Sequence, residues 1–255
     1  MTLPVVVLLG VLGLMVGSFL NVCISRLPAH QSIVFPGSRC PKCGTAIRWS
    51  DNIPVVSYLL LGARCRACRA PIAVRYPLVE IATAVAFVLQ AVVIDDPALL
   101  AVRLVFTALL VALFGTDIET QRLPNVLTLP GIVLGLSASV WLPPGLPSAA
   151  IGAAIGAAIP WTIRWIWFQA RGVEAMGLGD VKMLAMIGAF LGWQQVWLVL
   201  LLSSLAGALV GIALTATGHR SMQSRLPFGT FLAAAAFVAS LGGENVLDWY
   251  LSLFP

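Results

Sequence analysis

Apolar residues run in eight stretches, roughly 3–24, 77–94, 98–116, 126–142, 148–169, 181–192, 194–217 and 228–242. Short polar connections separate them, with one long polar insertion at 25–76. Most stretches approach the ~20 residues that a helix needs to cross a bilayer. The sixth is short, and its length predicts a tilted or partly interfacial helix. The pattern predicts an all-α polytopic membrane protein with about eight transmembrane helices. Its parts are a first helix over 1–24, a soluble insertion over 25–76 and a membrane core over 77–255. The first stretch has no basic segment before it, so it reads as a retained helix rather than a cleaved signal.

Charge then orients the helices. Lys and Arg collect in cytoplasmic connections of membrane proteins. Arg26, Arg39, Lys42, Arg48, Arg64, Arg66, Arg69 and Arg75 lie in or beside the insertion. Arg122, then Arg164, Arg171 and Lys182, then Arg220 and Arg225 fall at every second connection after it. The intervening connections, "DDP", "PPGLP" and "GWQQ", carry no Lys or Arg, and only Arg103 falls toward the other side. Eight spans with both termini on the periplasmic side account for this arrangement. Composition agrees: 60% of the residues are apolar, against about half in soluble domains, and the mean hydropathy is +0.98. The net charge of +5 therefore reflects topology. It gives no argument for a nucleic acid partner, while a basic inner surface suits anionic membrane lipid.

The insertion holds four of the five cysteines as Cys40-Pro-Lys-Cys43 and Cys65-Arg-Ala-Cys68. Two CxxC pairs at this spacing match a zinc ribbon, in which each tight turn aims two thiolates at one tetrahedral metal. The reducing cytoplasm disfavours the alternative of two disulfides. A segment this small also needs a staple in order to fold, and a metal supplies one. Four cysteine ligands leave no open position, so the expected zinc is structural. The expected fold is thus a helical membrane core with a small cytoplasmic zinc-ribbon-like insertion between the first two spans. Cys23, at the end of the first helix, reads as a small packed hydrophobe.

Ionisable groups at the edge of spanning segments are costly, and each invites a functional reading. Of ten acidic residues, Asp51, Asp95, Asp96, Glu174, Glu244 and Asp248 fall in connections or the tail and read as solvated. Glu80, just inside the second stretch, has Arg75 as a candidate partner. Asp117 ends the third stretch in "FGTDIETQRLPN", and Asp180 begins the sixth in "GLGD". Both fall at the cytoplasmic boundary. Taken singly, Asp180 fits an N-cap and Asp117 a helix end. Lys182, two residues on, sits about 200° around the helix from Asp180 and is expected to snorkel away. Glu119 reads as a loop charge, and His30 and His219 as surface groups.

The order of motifs along the chain resembles the bacterial type IV prepilin peptidases, members of the GxGD aspartyl intramembrane proteases. It is carried by "GSFLNVCISRLP", the CxxC pairs, "RYPLVE", Asp117 followed by "LPNVLTLP", "GLGDVKMLAMIGAFLG" and "PFGTFLA". The resemblance implies a bifunctional enzyme. It would cleave the basic leader of type IV prepilins and type II secretion pseudopilins at the cytoplasmic face of the inner membrane, then methylate the new N-terminus with S-adenosylmethionine. It also implies that Asp117 and Asp180 are the catalytic pair. Asn125 stands where the family often has Asp, and Thr230 where it often has Pro; neither position is expected to touch the pair.

Two carboxylates at close range share a proton and titrate as a unit, which is the arrangement amide hydrolysis needs. Helix dipoles would bias Asp180, at an N-terminus, toward the water-activating base, and Asp117, at a C-terminus, toward the acid. The methyltransferase half has no G-x-G-x-x-G fingerprint. Asn21, Arg26, Arg75 and Glu80, near the ends of the insertion, are the places to look for cofactor contacts, with loop anchoring as the competing reading. A membrane transporter using Asp117 and Asp180 as a proton relay is the alternative from another class. Against it, both aspartates sit at one face and no inverted repeat is apparent.

Overall fold

A computed structural model of the chain describes residues 2–173, 176–217 and 226–252. Glu174, His219, Arg220 and Arg225 lie outside the described residues, as do the side chains of Glu244 and Asp248. The described residues form nine α-helices: α1 (Leu3–Arg26), α2 (Val56–Leu60), α3 (Arg75–Val93), α4 (Pro97–Thr120), α5 (Asn125–Ala138), α6 (Leu146–Arg171), α7 (Leu178–Leu191), α8 (Trp193–Ala216) and α9 (Phe228–Leu251). Among the described residues there is no β-strand, only two isolated bridges inside the insertion. Each of the eight apolar stretches has become a helix. Five of them are long and apolar enough to cross a membrane: α1 with the turn after it, α3, α4, α6 and α8. Side chains such as Leu8, Leu12, Met15 and Leu201 are exposed along them, as helices facing lipid require.

The chain divides into two compact units, Met1–Ala112 and Leu113–Pro255, with the boundary inside α4. In the first, α1 packs along α3. Gly13 and Gly17 make that approach possible. A Cβ on Gly13 would fall 2.6 Å from the backbone of Ala84, and one on Gly17 2.7 Å from that of Glu80. Phe87, Ala91, Ile94, Leu100 and Leu104 form the apolar cluster of this unit. Asp96 caps α4, its carboxylate accepting the backbone N–H groups of Ala98 and Leu99.

In the second unit α7 is the centre, contacted by α5, α6, α8 and α9. Val181 and every residue from Met183 to Leu191 are buried. A helix that is apolar all round belongs inside a protein, and the location of α7 explains its length. Its fourteen residues span only about 21 Å, short of the ~30 Å hydrocarbon core, because its neighbours surround it. The sixth stretch is therefore a packed core helix, in place of the tilted or interfacial one expected. The α6–α7 crossing is backbone against backbone: Gly152 lies against Gly188, and Gly156 against the carbonyl of Leu184. This is the small-xxx-small packing of membrane helices.

Candidate active site and metal centre

The insertion folds as two matching knuckles. In the first, Cys40 N–H donates to Thr45 O and Gly44 N–H donates back to Cys40 O. In the second, Cys65 N–H donates to Ala70 O and Arg69 N–H to Cys65 O. The residue after each second cysteine is left-handed, Gly44 at φ 70° and Arg69 at φ 58°. These turns bring the Sγ atoms of Cys40, Cys43, Cys65 and Cys68 to within 4.8 Å of one another. The Cys40–Cys68 sulfur separation is 3.8 Å. A tetrahedral site with metal–sulfur bonds of about 2.3 Å needs sulfurs about 3.8 Å apart. The four cysteines therefore fit a metal ion, as their spacing predicts. Thr45, hydrogen-bonded to Cys43 through side chain and backbone, holds that thiol down to about 6, while the neighbouring thiols push Cys68 up to about 11. Arg66 ties the second knuckle to the 3₁₀ turn at 49–52. Its Nε and Nη2 donate to the Asp51 carboxylate at 2.8 and 2.6 Å, holding Asp51 below the usual carboxylate range.

The polar residues at the ends of the insertion serve its backbone. Asn21 Nδ2 donates to Tyr76 O, and Arg26 donates to the carbonyls of Ser32 and Gly37. Glu80 Oε2 accepts the Val55 N–H at 2.8 Å, and Arg75 lies over the ring of Tyr76. Loop anchoring is thus a role that Asn21, Arg26 and Glu80 fill.

Asp117 and Asp180 come together in the second unit. Asp117, 5% exposed, is near the end of α4, and Asp180 is the third residue of α7, half-buried. The Asp117 carboxylate acts electrostatically on Asp180. Asp180 is not an N-cap, because Gly177 holds that position. Its carboxylate instead hydrogen-bonds the Gly177 backbone, the third-position half of a capping box. The connection leading into α7 is tethered by Arg164, whose guanidinium donates to Met176 O at 3.0 Å. Leu123, in the α4–α5 connection, packs against both Gly179 and Gly229, where an added Cβ would fall 2.9 and 3.0 Å from it. The first turns of α7 and α9 thereby meet around one side chain.

Sequence reasoning missed Thr230. It is the third residue of α9, and Asp117 Oδ2 accepts both its backbone N–H, at 2.7 Å, and its hydroxyl, at 3.1 Å. A position expected to lie clear of the pair is bonded to it. Hydrogen bonds to a charged group are each worth about 1.5–3 kcal/mol, against about 0.3–1 kcal/mol for a helix-end dipole. They oppose the bias that the helix ends alone predict. Lys182 donates to Asn125 Oδ1 at 2.8 Å at an exposed position, joining α7 to the start of α5. Cys23 is buried and His30 exposed, as expected.

With this geometry in hand, comparison with known proteins is direct. Residues 11–94 match the Bacterial Peptidase A24 N-terminal domain, and residues 104–212 match the Type IV leader peptidase family. The chain belongs to the type IV leader peptidase family. Among its relatives is a prepilin leader peptidase/N-methyltransferase of Pseudomonas putida, 41% identical over 94% of this chain and 92% of the relative. Proteins of the same name from Pseudomonas aeruginosa and Aeromonas hydrophila are 39% and 38% identical, over 94% and 95% of this chain and 91% and 92% of theirs. No solved structure matches the chain. Family membership disfavours the transporter reading.

Proposed function

We propose that this membrane protein is an aspartyl endopeptidase that removes the basic leader of type IV prepilins and pseudopilins, with Asp117 and Asp180 as its catalytic pair, and that it then methylates the new N-terminus. One observation carries the assignment of the pair. Asp117, buried in the last turn of α4 and hydrogen-bonded to the first turn of α9, acts electrostatically on Asp180, 63 positions further on in the first turn of α7, where the first turns of α7 and α9 pack around Leu123. Leader cleavage and methyl transfer follow from the relatives that span nearly the whole chain.

Hydrolysis needs one carboxylate ionised and the other protonated. The ionised member takes a proton from water as the water oxygen bonds to the scissile carbonyl carbon. The protonated member gives its proton to the carbonyl oxygen. Collapse of the tetrahedral intermediate breaks the C–N bond, with a proton passing to the departing amine. Exclusion of water around Asp117 strengthens these interactions and costs no reorganisation during the reaction.

Zinc is the metal that Cys40, Cys43, Cys65 and Cys68 would hold, and with four thiolate ligands its part would be structural, fixing the insertion. S-adenosylmethionine supplies the methyl group when bound, and no residue is assigned to it. Lys and Arg in alternate connections support a reading in which the insertion and the aspartates lie on the cytoplasmic side of the bacterial inner membrane and the termini on the periplasmic side. Anionic lipid is the expected neighbour of that basic face.

Purified protein, given a substrate with a short basic leader joined to an apolar helix, tests the assignment. Asp117→Asn and Asp180→Asn should each lose cleavage by about 10²–10⁴-fold, with unchanged thermal unfolding in detergent. Full activity in either variant would overturn it.

A further inference from the structure

We infer that Thr230 is the positioning residue that makes Asp117 the water-activating member of the pair; this deepens the catalytic assignment above and rests on it. Both donors of Thr230, the backbone N–H at 2.7 Å and the hydroxyl at 3.1 Å, converge on a single oxygen, Asp117 Oδ2. Thr230 is 9% exposed and Asp117 5%, so bulk water does not compete for these bonds. An oxygen that accepts two donors suits a carboxylate anion, because hydrogen bonding to the charged form favours that form.

The residue before Thr230 is shaped for the same contact. A Cβ on Gly229 would fall 3.0 Å from Asp117 Oδ2 and 3.1 Å from its Cγ, so glycine there lets the carboxylate lie flat against the first turn of α9. The dipole of α9 points its positive end at Asp117, which answers the unfavourable end of α4 on which Asp117 sits. Asp180 has a single backbone bond of this kind, from Gly177. The pair is therefore asymmetric by construction. Asp117, held through Oδ2, takes the proton from water through Oδ1; Asp180 carries the proton that passes to the scissile carbonyl oxygen.

Thr230→Val keeps the shape and the backbone donor and deletes the hydroxyl, while Thr230→Ser keeps both donors. Steady-state cleavage of the same leader-bearing substrate should show kcat about tenfold lower in Thr230→Val, with KM within about twofold, as expected for one hydrogen bond to a charged group. Thr230→Ser should recover kcat to within about twofold of the unaltered enzyme. Wild-type kcat in Thr230→Val overturns the inference, and so does a loss in Thr230→Ser as large as that in Thr230→Val. If Thr230→Val unfolds in detergent, Thr230→Ala paired with Thr230→Ser gives the same contrast without the β-branch. Asp117→Asn, assayed alongside, separates the two levels. An inactive Asp117→Asn with a fully active Thr230→Val defeats only the role of Thr230, whereas an active Asp117→Asn defeats the catalytic pair itself.

Discussion

The insertion and the α7 core are ordered by opposite means. Between residues 29 and 76 only Cys40 and Ser57 are buried, while Phe35, Trp49 and Leu60 are 78%, 85% and 82% exposed. Nothing there amounts to an apolar core. Its order comes from two turns, each closed within six residues, and from four thiols gathered for one metal. Around α7 the reverse holds. Ten of its residues are buried, and contact with its neighbours runs backbone to backbone through Gly152, Gly156 and Gly188. One region spends a ligand to fix a short loop, and the other spends side-chain bulk to bring distant segments together. The proposed catalytic pair, drawn from residues 117 and 180, needs the second kind of order.

The largest effect should follow from attacking the metal. Cys40→Ser breaks the tetrahedral set, and structural zinc sites carry on the order of 10 kcal/mol of folding free energy. Metal content measured by atomic absorption should fall to background, and limited proteolysis should cut within 30–73. The amides of α7, held by packing, should keep their hydrogen-exchange protection. Loss of that protection on removing the metal would erase the contrast between the regions, and undetectable metal in the unaltered protein would remove its first half.

Next in size is the core. Gly188→Val places a branched side chain where α6 backbone already touches. Two helices forced apart along a buried seam should cost about 3 kcal/mol or more. Thermal unfolding in detergent should show a clear drop in midpoint, with metal content unchanged. An unaltered midpoint would mean that the close crossing does not hold α7 in place.

The same contrast explains how much the sequence disclosed. Cys40, Cys43, Cys65 and Cys68 were legible because a knuckle is local: the ligands are three apart and the turn lies within the motif. The eight helices were legible because apolar runs of this length have few alternatives in a bilayer. Asp117 and Asp180 could each be marked as costly charges, but their meeting depends on the first turns of α7 and α9 packing around Leu123 and on α9 reaching Asp117, which no local pattern encodes. Thr230 shows the limit most clearly. Its motif, "PFGT", was in view, yet the contact spans 113 positions and depends on where α9 begins. The burial of α7 was misjudged for a related reason. A short apolar run reads alike whether lipid or protein surrounds it, and only the glycines of α6 reveal which.

The smallest effect lies within the knuckles, where two equivalent positions differ by one side chain. Gly44 and Arg69 follow the second cysteine of their pairs, at φ 70° and 58°. A left-handed backbone costs an L-residue about 1–2 kcal/mol, and glycine is spared this. Nothing lies within 4 Å of a Cβ built on Gly44, so Gly44→Ala meets only the backbone penalty. It should weaken metal binding about five- to thirtyfold in competition with a chromophoric chelator. Arg69→Gly removes the penalty from the second knuckle but loosens the unfolded chain, which returns part of the gain. Tighter binding by no more than a few-fold is expected, a ceiling set by the difference between those two terms. Equal and opposite changes in the two variants would show that the knuckles are energetically equivalent. Weaker binding in Arg69→Gly would show instead that the arginine's charge beside four thiolates outweighs its backbone strain.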